Sequence, residues 1–196
     1  AFGHLRDHDR LMDNPFEIPH IERITFEVSL RDEWRMSTLE ALQSASGPVR
    51  PGGEYTVIAR LRNYLDEPVT HRISAAIPED LPRDARLKLF IGDADSATAL
   101  ARGQGRSDFD ELGDIVSYLR ESRSADALYV KLLVEREGVR IGGQTLSALP
   151  PSVAQVLKSP RSRKLASATP YLTLWETRIP VDGVFSGSQM LDVPLR

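Results

Sequence analysis

The chain of 196 residues carries 25 lysines and arginines against 28 aspartates and glutamates, a formal charge of −3, and 41 % of its residues are hydrophobic. That balance excludes non-specific nucleic-acid binding, which needs a basic face to neutralise phosphates. The absence of cysteine excludes a disulfide framework, Cys-ligated zinc, an iron–sulfur cluster and a thiol nucleophile. No run of ~18 apolar residues offers a membrane span, and the charged start of the chain lacks the apolar run of a signal peptide, so any export signal is expected outside it.

Residues 1–20 combine aspartates, arginines and histidines with Asn14-Pro15 and Pro19, which break any helix that Leu5–Met12 starts. They read as an extended lead-in. From Ile24 the pattern changes to period two, with Ile24, Phe26, Val28 and Leu30 alternating against Thr25, Glu27 and Ser29, which predicts a half-buried strand. The run from Trp34 to Ala41 is less regular, and its β-branched and aromatic content favours strand over a short helix. Gly47-Pro48-Val49-Arg50-Pro51-Gly52-Gly53 is a loop by composition.

Beyond it, Tyr55, Val57, Ala59 and Leu61 alternate with Thr56, Ile58, Arg60 and Arg62. Asp66-Glu67-Pro68 turns the chain into a second strand over Val69–Ile77, as a hairpin or corner. Leu87, Leu89 and Ile91 predict a strand ended by Gly92-Asp93. The texture then becomes helical, with helices expected at roughly 94–102 and 108–122. In the second, Leu112, Ile115, Val116 and Leu119 recur at helical spacing, Asp108 caps the start, and Arg120 and Arg123 lie near the end. Strand returns over Ala127–Val134, where Leu128, Val130, Leu132 and Val134 share a face, and Glu137-Gly138 is expected to turn the chain before Val139–Gly142. A short helix over Val153–Leu157, a basic loop over Ser159–Ala168, and strands over Tyr171–Val181 and Met190–Leu195 around an Asp182-Gly183 turn complete the chain.

Few constellations point to chemistry. His4, Asp7, His8 and Asp9 cluster near the start, where two imidazoles four residues apart would share a helix face; their terminal position favours a solvated segment over a metal centre, and only His20 and His71 remain as further imidazoles. Ser186-Gly187-Ser188 has the composition around an exposed serine nucleophile but sits between strands, where small polar residues make a turn or bulge. Gly138, Gly142 and Gly143 match no phosphate-binding loop. Lys158, Arg161, Arg163 and Lys164 form a short basic run without interleaved aromatics, which reads as a solvated loop. No catalytic residue, metal or cofactor is assigned.

Several segments together resemble the C-terminal, non-catalytic region of the large bacterial proteins that carry a SpoIVB-type serine peptidase domain, the S55 family. They are Asn14-Pro15-Phe16-Glu17 with Ile21-Glu22-Arg23-Ile24, Val49-Arg50-Pro51-Gly52-Gly53, Ile77-Pro78-Glu79-Asp80-Leu81-Pro82, Asp126-Ala127-Leu128-Tyr129-Val130, Leu149-Pro150-Pro151-Ser152-Val153, and Ile179-Pro180-Val181 with Val184-Phe185-Ser186-Gly187. The resemblance runs from about Asn14 to the end. That family's peptidase uses a serine in a Ser-Gly-Ser-Pro setting and a histidine after glycine. Ala1-Phe2-Gly3-His4 echoes the histidine segment but runs almost directly into Asn14-Pro15, leaving no room for a peptidase core. Gln189 stands where the serine motif has proline, so no catalytic residue is carried over.

The expectation is therefore a mainly β chain, an antiparallel β-sandwich of the Ig-like kind with a helical insertion at about 94–122. Residues 1–20 form the lead-in and 21–196 the domain, with a division into two subdomains near 93–125 left open. Ile24, Phe26, Val28, Tyr55, Val57, Leu61, Leu89, Ile91, Val130 and Leu132 should be buried, with the opposite parity of their strands polar. The resemblance implies an accessory binding or scaffolding module with an attached peptidase domain or another protein as partner, in a bacterial envelope, periplasmic or secreted setting. A free-standing sandwich module binding glycan or protein through loops or an open edge strand is the alternative. Neither nucleic-acid binding nor membrane insertion is expected.

Overall fold

The computed structural model describes residues 11–20, 22, 23, 25, 32, 35–64, 68–82, 84–102, 112, 113, 115, 116, 123–141, 144–146 and 167–196. The described residues are mainly β and form two sheets.

In the first sheet, β1 (Met36–Ser44), β2 (Glu54–Asn63) and β3 (Val69–Ala76) follow one another as antiparallel hairpins. The alternation read from Tyr55 to Leu61 holds: Tyr55, Val57, Ala59 and Leu61 are buried, while Arg60 and Arg62 face outward. A short strand, β8 (Val184–Ser186), joins the other side of β1 in parallel. Hairpins alone give antiparallel neighbours, so this pairing, contributed from far along the chain, departs from a purely antiparallel sheet.

The second sheet is organised around β5 (Ala127–Ile141). One edge of β5 pairs with β4 (Leu87–Gly92), which in turn pairs with β9 (Ser188–Val193); the other edge pairs with β7 (Ser167–Pro180). A three-residue strand, β6 (Gln144–Leu146), pairs with the far end of β5. The turn expected at Glu137-Gly138 does not occur. The strand runs through it with a register shift between Glu135 and Gly138, so glycine here marks a bulge that bends a long strand. Ser167 and Ala168, expected in the basic loop, already belong to β7.

The principal core lies between the sheets, where Tyr55, Val57, Leu61 and Ile73 from the first meet Leu89, Ile91, Leu128, Val130 and Leu132 from the second. All the expected core residues within the described part are buried; Ile24, Phe26 and Val28 lie outside it. The opposite parity is not polar throughout. Phe90, Ala127, Tyr129 and Leu133 form a second buried cluster with Ala94 and Ala97 of a helix, α1 (Ala94–Arg102), laid against the outer face of the second sheet. A strand covered on both faces loses its alternation, which is why β5 reads as almost continuously apolar. Leu112, Gly113, Ile115 and Val116 are helical, with Ile115 buried; the rest of the helix expected over 108–122 lies outside the described residues, as do the short helix at Val153–Leu157 and most of the 159–168 loop.

Candidate functional site

Lys131 interrupts the apolar run of β5 and is completely buried, on the face against which α1 packs. Its Nζ donates to the Ala97 carbonyl at 2.8 Å and lies 3.1 Å from Oε2 of Glu176 on β7. The same carboxylate accepts a forked pair of bonds from Arg123, at 2.9 and 3.0 Å, and Arg123 reaches Thr98 of α1 and stacks 5.7 Å from the centre of the Tyr129 ring. Burial pushes the Glu176 carboxyl up, but the Arg123 hydrogen bonds and the Lys131 charge outweigh it and hold the group below its ordinary value. This cluster pins the helix to the sheet, which is a structural role.

Ser186-Gly187-Ser188 forms the corner at which the chain leaves the first sheet and enters the second, in line with the turn or bulge expected of it. Gly187 has φ of +93°, a region costly for other residues. Asp93 fastens this corner: its backbone N–H donates to the Gly187 carbonyl at 3.1 Å, and its Oδ2 accepts the Gly187 N–H at 2.7 Å. Its Oδ1 caps α1 by accepting the Ser96 N–H at 2.7 Å. Ser186 Oγ lies 3.1 Å from Thr38 Oγ1, a hydroxyl pair that supplies no base to accept a proton. His4, Asp7, His8 and Asp9, and the Lys158, Arg161, Arg163 and Lys164 run, lie outside the described residues. Among the described residues no three His, Asp or Glu side chains converge as a metal site would require, and no helix is long and apolar enough to cross a membrane.

A concavity of about 530 Å³ opens where β4 begins and β9 ends, lined in part by charged side chains that largely satisfy one another. Lys88 bonds Asp192 at 2.6 Å and Glu135 at 3.2 Å, and these two carboxylates raise its pKa.

The remaining feature is the outer edge of β3. Successive residues of a strand direct their N–H and C=O groups to opposite edges. Ile77 donates toward β2, to the Gly53 carbonyl at 2.9 Å, while the Ala76 carbonyl points outward and accepts Trp175 Nε1 of β7 at 2.9 Å. The β2–β3 register is unbroken from Ala76 to Val69, so Thr70, Arg72 and Ser74 share the outward direction of Ala76. No strand pairs with this edge among the described residues. On the adjoining outer face of the first sheet three arginines outnumber two carboxylates, Glu40 and Glu54: Arg60 and Arg62 both pair with Glu40, and exposed Arg72 makes no ion pair among the described residues. Strand alternation alone puts Arg60 and Arg62 on the outward parity of β2 but does not group them with Arg72, whose place near them is fixed by hairpin register.

The described residues thus form a two-sheet, mainly β protein in which the outer edge of β3 is unpaired. In comparison with known proteins, no family model, no curated protein and no solved structure matches the chain.

Proposed function

We propose that the chain is a non-catalytic binding module, an Ig-like β-sandwich with a helical insertion at about 94–122, acting as an accessory or scaffolding part of a SpoIVB-type serine peptidase protein of the bacterial envelope. Support for binding as its task comes from the outer edge of β3, where Thr70, Arg72 and Ser74 direct backbone donors and acceptors to solvent. Edges of this kind capture extended polypeptide by continuing the sheet. Support for the peptidase connection is the sequence resemblance from Asn14 to the end. The test is calorimetric titration of the chain with a separately produced SpoIVB-type peptidase domain. A saturable complex is expected, and Thr70→Pro should abolish it while the fold persists, since proline is tolerated where the N–H faces away from the sheet. Absence of a complex, or one that Thr70→Pro leaves intact, overturns this reading in favour of a free-standing module with another partner.

A further inference from the structure

Taking that reading of the β3 edge as its basis, we propose that the edge selects an extended polypeptide segment alternating acidic with apolar residues. A strand added beyond β3 places every second side chain on the outer face of the first sheet, opposite Thr70, Arg72 and Ser74. On that face stand three guanidinium groups against two carboxylates: Arg60 and Arg62 share Glu40, Arg72 makes no ion pair among the described residues, and Glu54 lies at the far end of β2, opposite Ala76. Arg60 and Arg72 are diagonal neighbours, because Arg60 is opposite Thr70 and Ile58 opposite Arg72. The chain as a whole is negative, so this face is a local inversion of charge and attracts carboxylates to a site where Arg72 is exposed.

The other parity of the added strand falls on the inner side, beside Val69, His71 and Ile73. Val69 is 40 % exposed there, and half-buried Trp175 reaches across from β7 to the Ala76 carbonyl. An apolar side chain at that parity extends the core into the space between the β3 and β7 edges. A second copy of the chain fits poorly as occupant. Antiparallel β3–β3 pairing centred on Arg72 opposes like charges, the arrangement by which edge strands avoid self-association.

The test is fluorescence anisotropy with three short labelled peptides that alternate valine with glutamate, with threonine or with lysine, and a fourth that carries N-methyl groups on the glutamate peptide's backbone. The glutamate peptide should bind at least about fivefold tighter than the threonine peptide, the lysine peptide should bind weakest, and backbone methylation should abolish binding. Arg72→Glu should reverse the order of the glutamate and lysine peptides, and circular dichroism of this surface variant verifies its fold. Equal binding of the glutamate and threonine peptides sinks the acidic preference and leaves the open-edge reading standing. Binding that survives methylation shows plain surface attraction and overturns strand addition. Failure of all the peptides to bind removes the open-edge reading together with this inference.

Discussion

Lys131 has no solvent exposure, and a buried ammonium is tolerated only where acceptors replace water. Glu176 supplies a carboxylate shared by Lys131 and Arg123, so Glu176→Gln removes the negative charge common to both. We expect this variant to lose about 1–3 kcal/mol at neutral pH, read from urea unfolding. The pH dependence has a definite sign. Because the folded state holds the Glu176 carboxyl below its ordinary 4.5, its stabilisation is complete above that value and is lost as pH falls through the folded-state value. The unfolding midpoints of parent and Glu176→Gln should therefore converge on acidification; a constant gap places the effect elsewhere. Ser186 and Ser188 lead to a different expectation. With Ser186 facing the Thr38 hydroxyl at the sheet corner, a fluorophosphonate probe should label neither serine. Stoichiometric labelling of either one reverses the non-catalytic reading.

Elements differ in how far their sequences announced them. The β2 alternation and the Ala94–Arg102 helix were legible because one face of each meets water, so polarity reports burial. The outer parity of β5 was only partly so: its nearly continuous apolar run is the mark of cover on both faces, but nothing in the local sequence says that α1 supplies the cover that buries Tyr129 and Leu133. Glu137-Gly138 misled for a related reason: a glycine that usually ends a strand here permits a bulge within one. The candidate site was half legible, as outward arginines without the register that groups them. Among the helical residues 112, 113, 115 and 116, Ile115 is 2 % exposed. Ile115→Asp should bury an unpaired charge and lose at least about 3 kcal/mol or the folded state altogether, as seen by circular dichroism and thermal unfolding. Parent-like melting means that this helix contributes nothing to the stability of the sheets.

At the level of the molecule, β8 and β9 are one stretch of chain serving both sheets, bent at Gly187 and tied to Asp93. Gly183, in the turn before it, adopts φ of +111°, and a Cβ there would lie 2.1 Å from the Arg35 carbonyl oxygen. At Gly187 the nearest atoms to a Cβ are 3.5 Å away, so only backbone strain opposes alanine. Gly187→Ala should cost about 1 kcal/mol and Gly183→Ala clearly more, with both variants unfolding in a single urea transition. Equal costs at the two positions contradict the contact at Arg35.

The union of the sheets through β8 also governs the order of events in folding. Thr38 and Ser186, which meet across β1 and β8, are 148 residues apart in sequence, whereas the β1–β2 and β2–β3 hairpins close over short loops. Closing so long a loop before other contacts exist carries the full entropic penalty, so the hairpins and the β4–β5 pair form first and the parallel β1–β8 pair last. Refolding then belongs to the slow regime of non-local β topologies. Substitutions at Gly187 or Asp93 accelerate unfolding while leaving the refolding rate nearly unchanged, the kinetic signature of contacts made after the barrier.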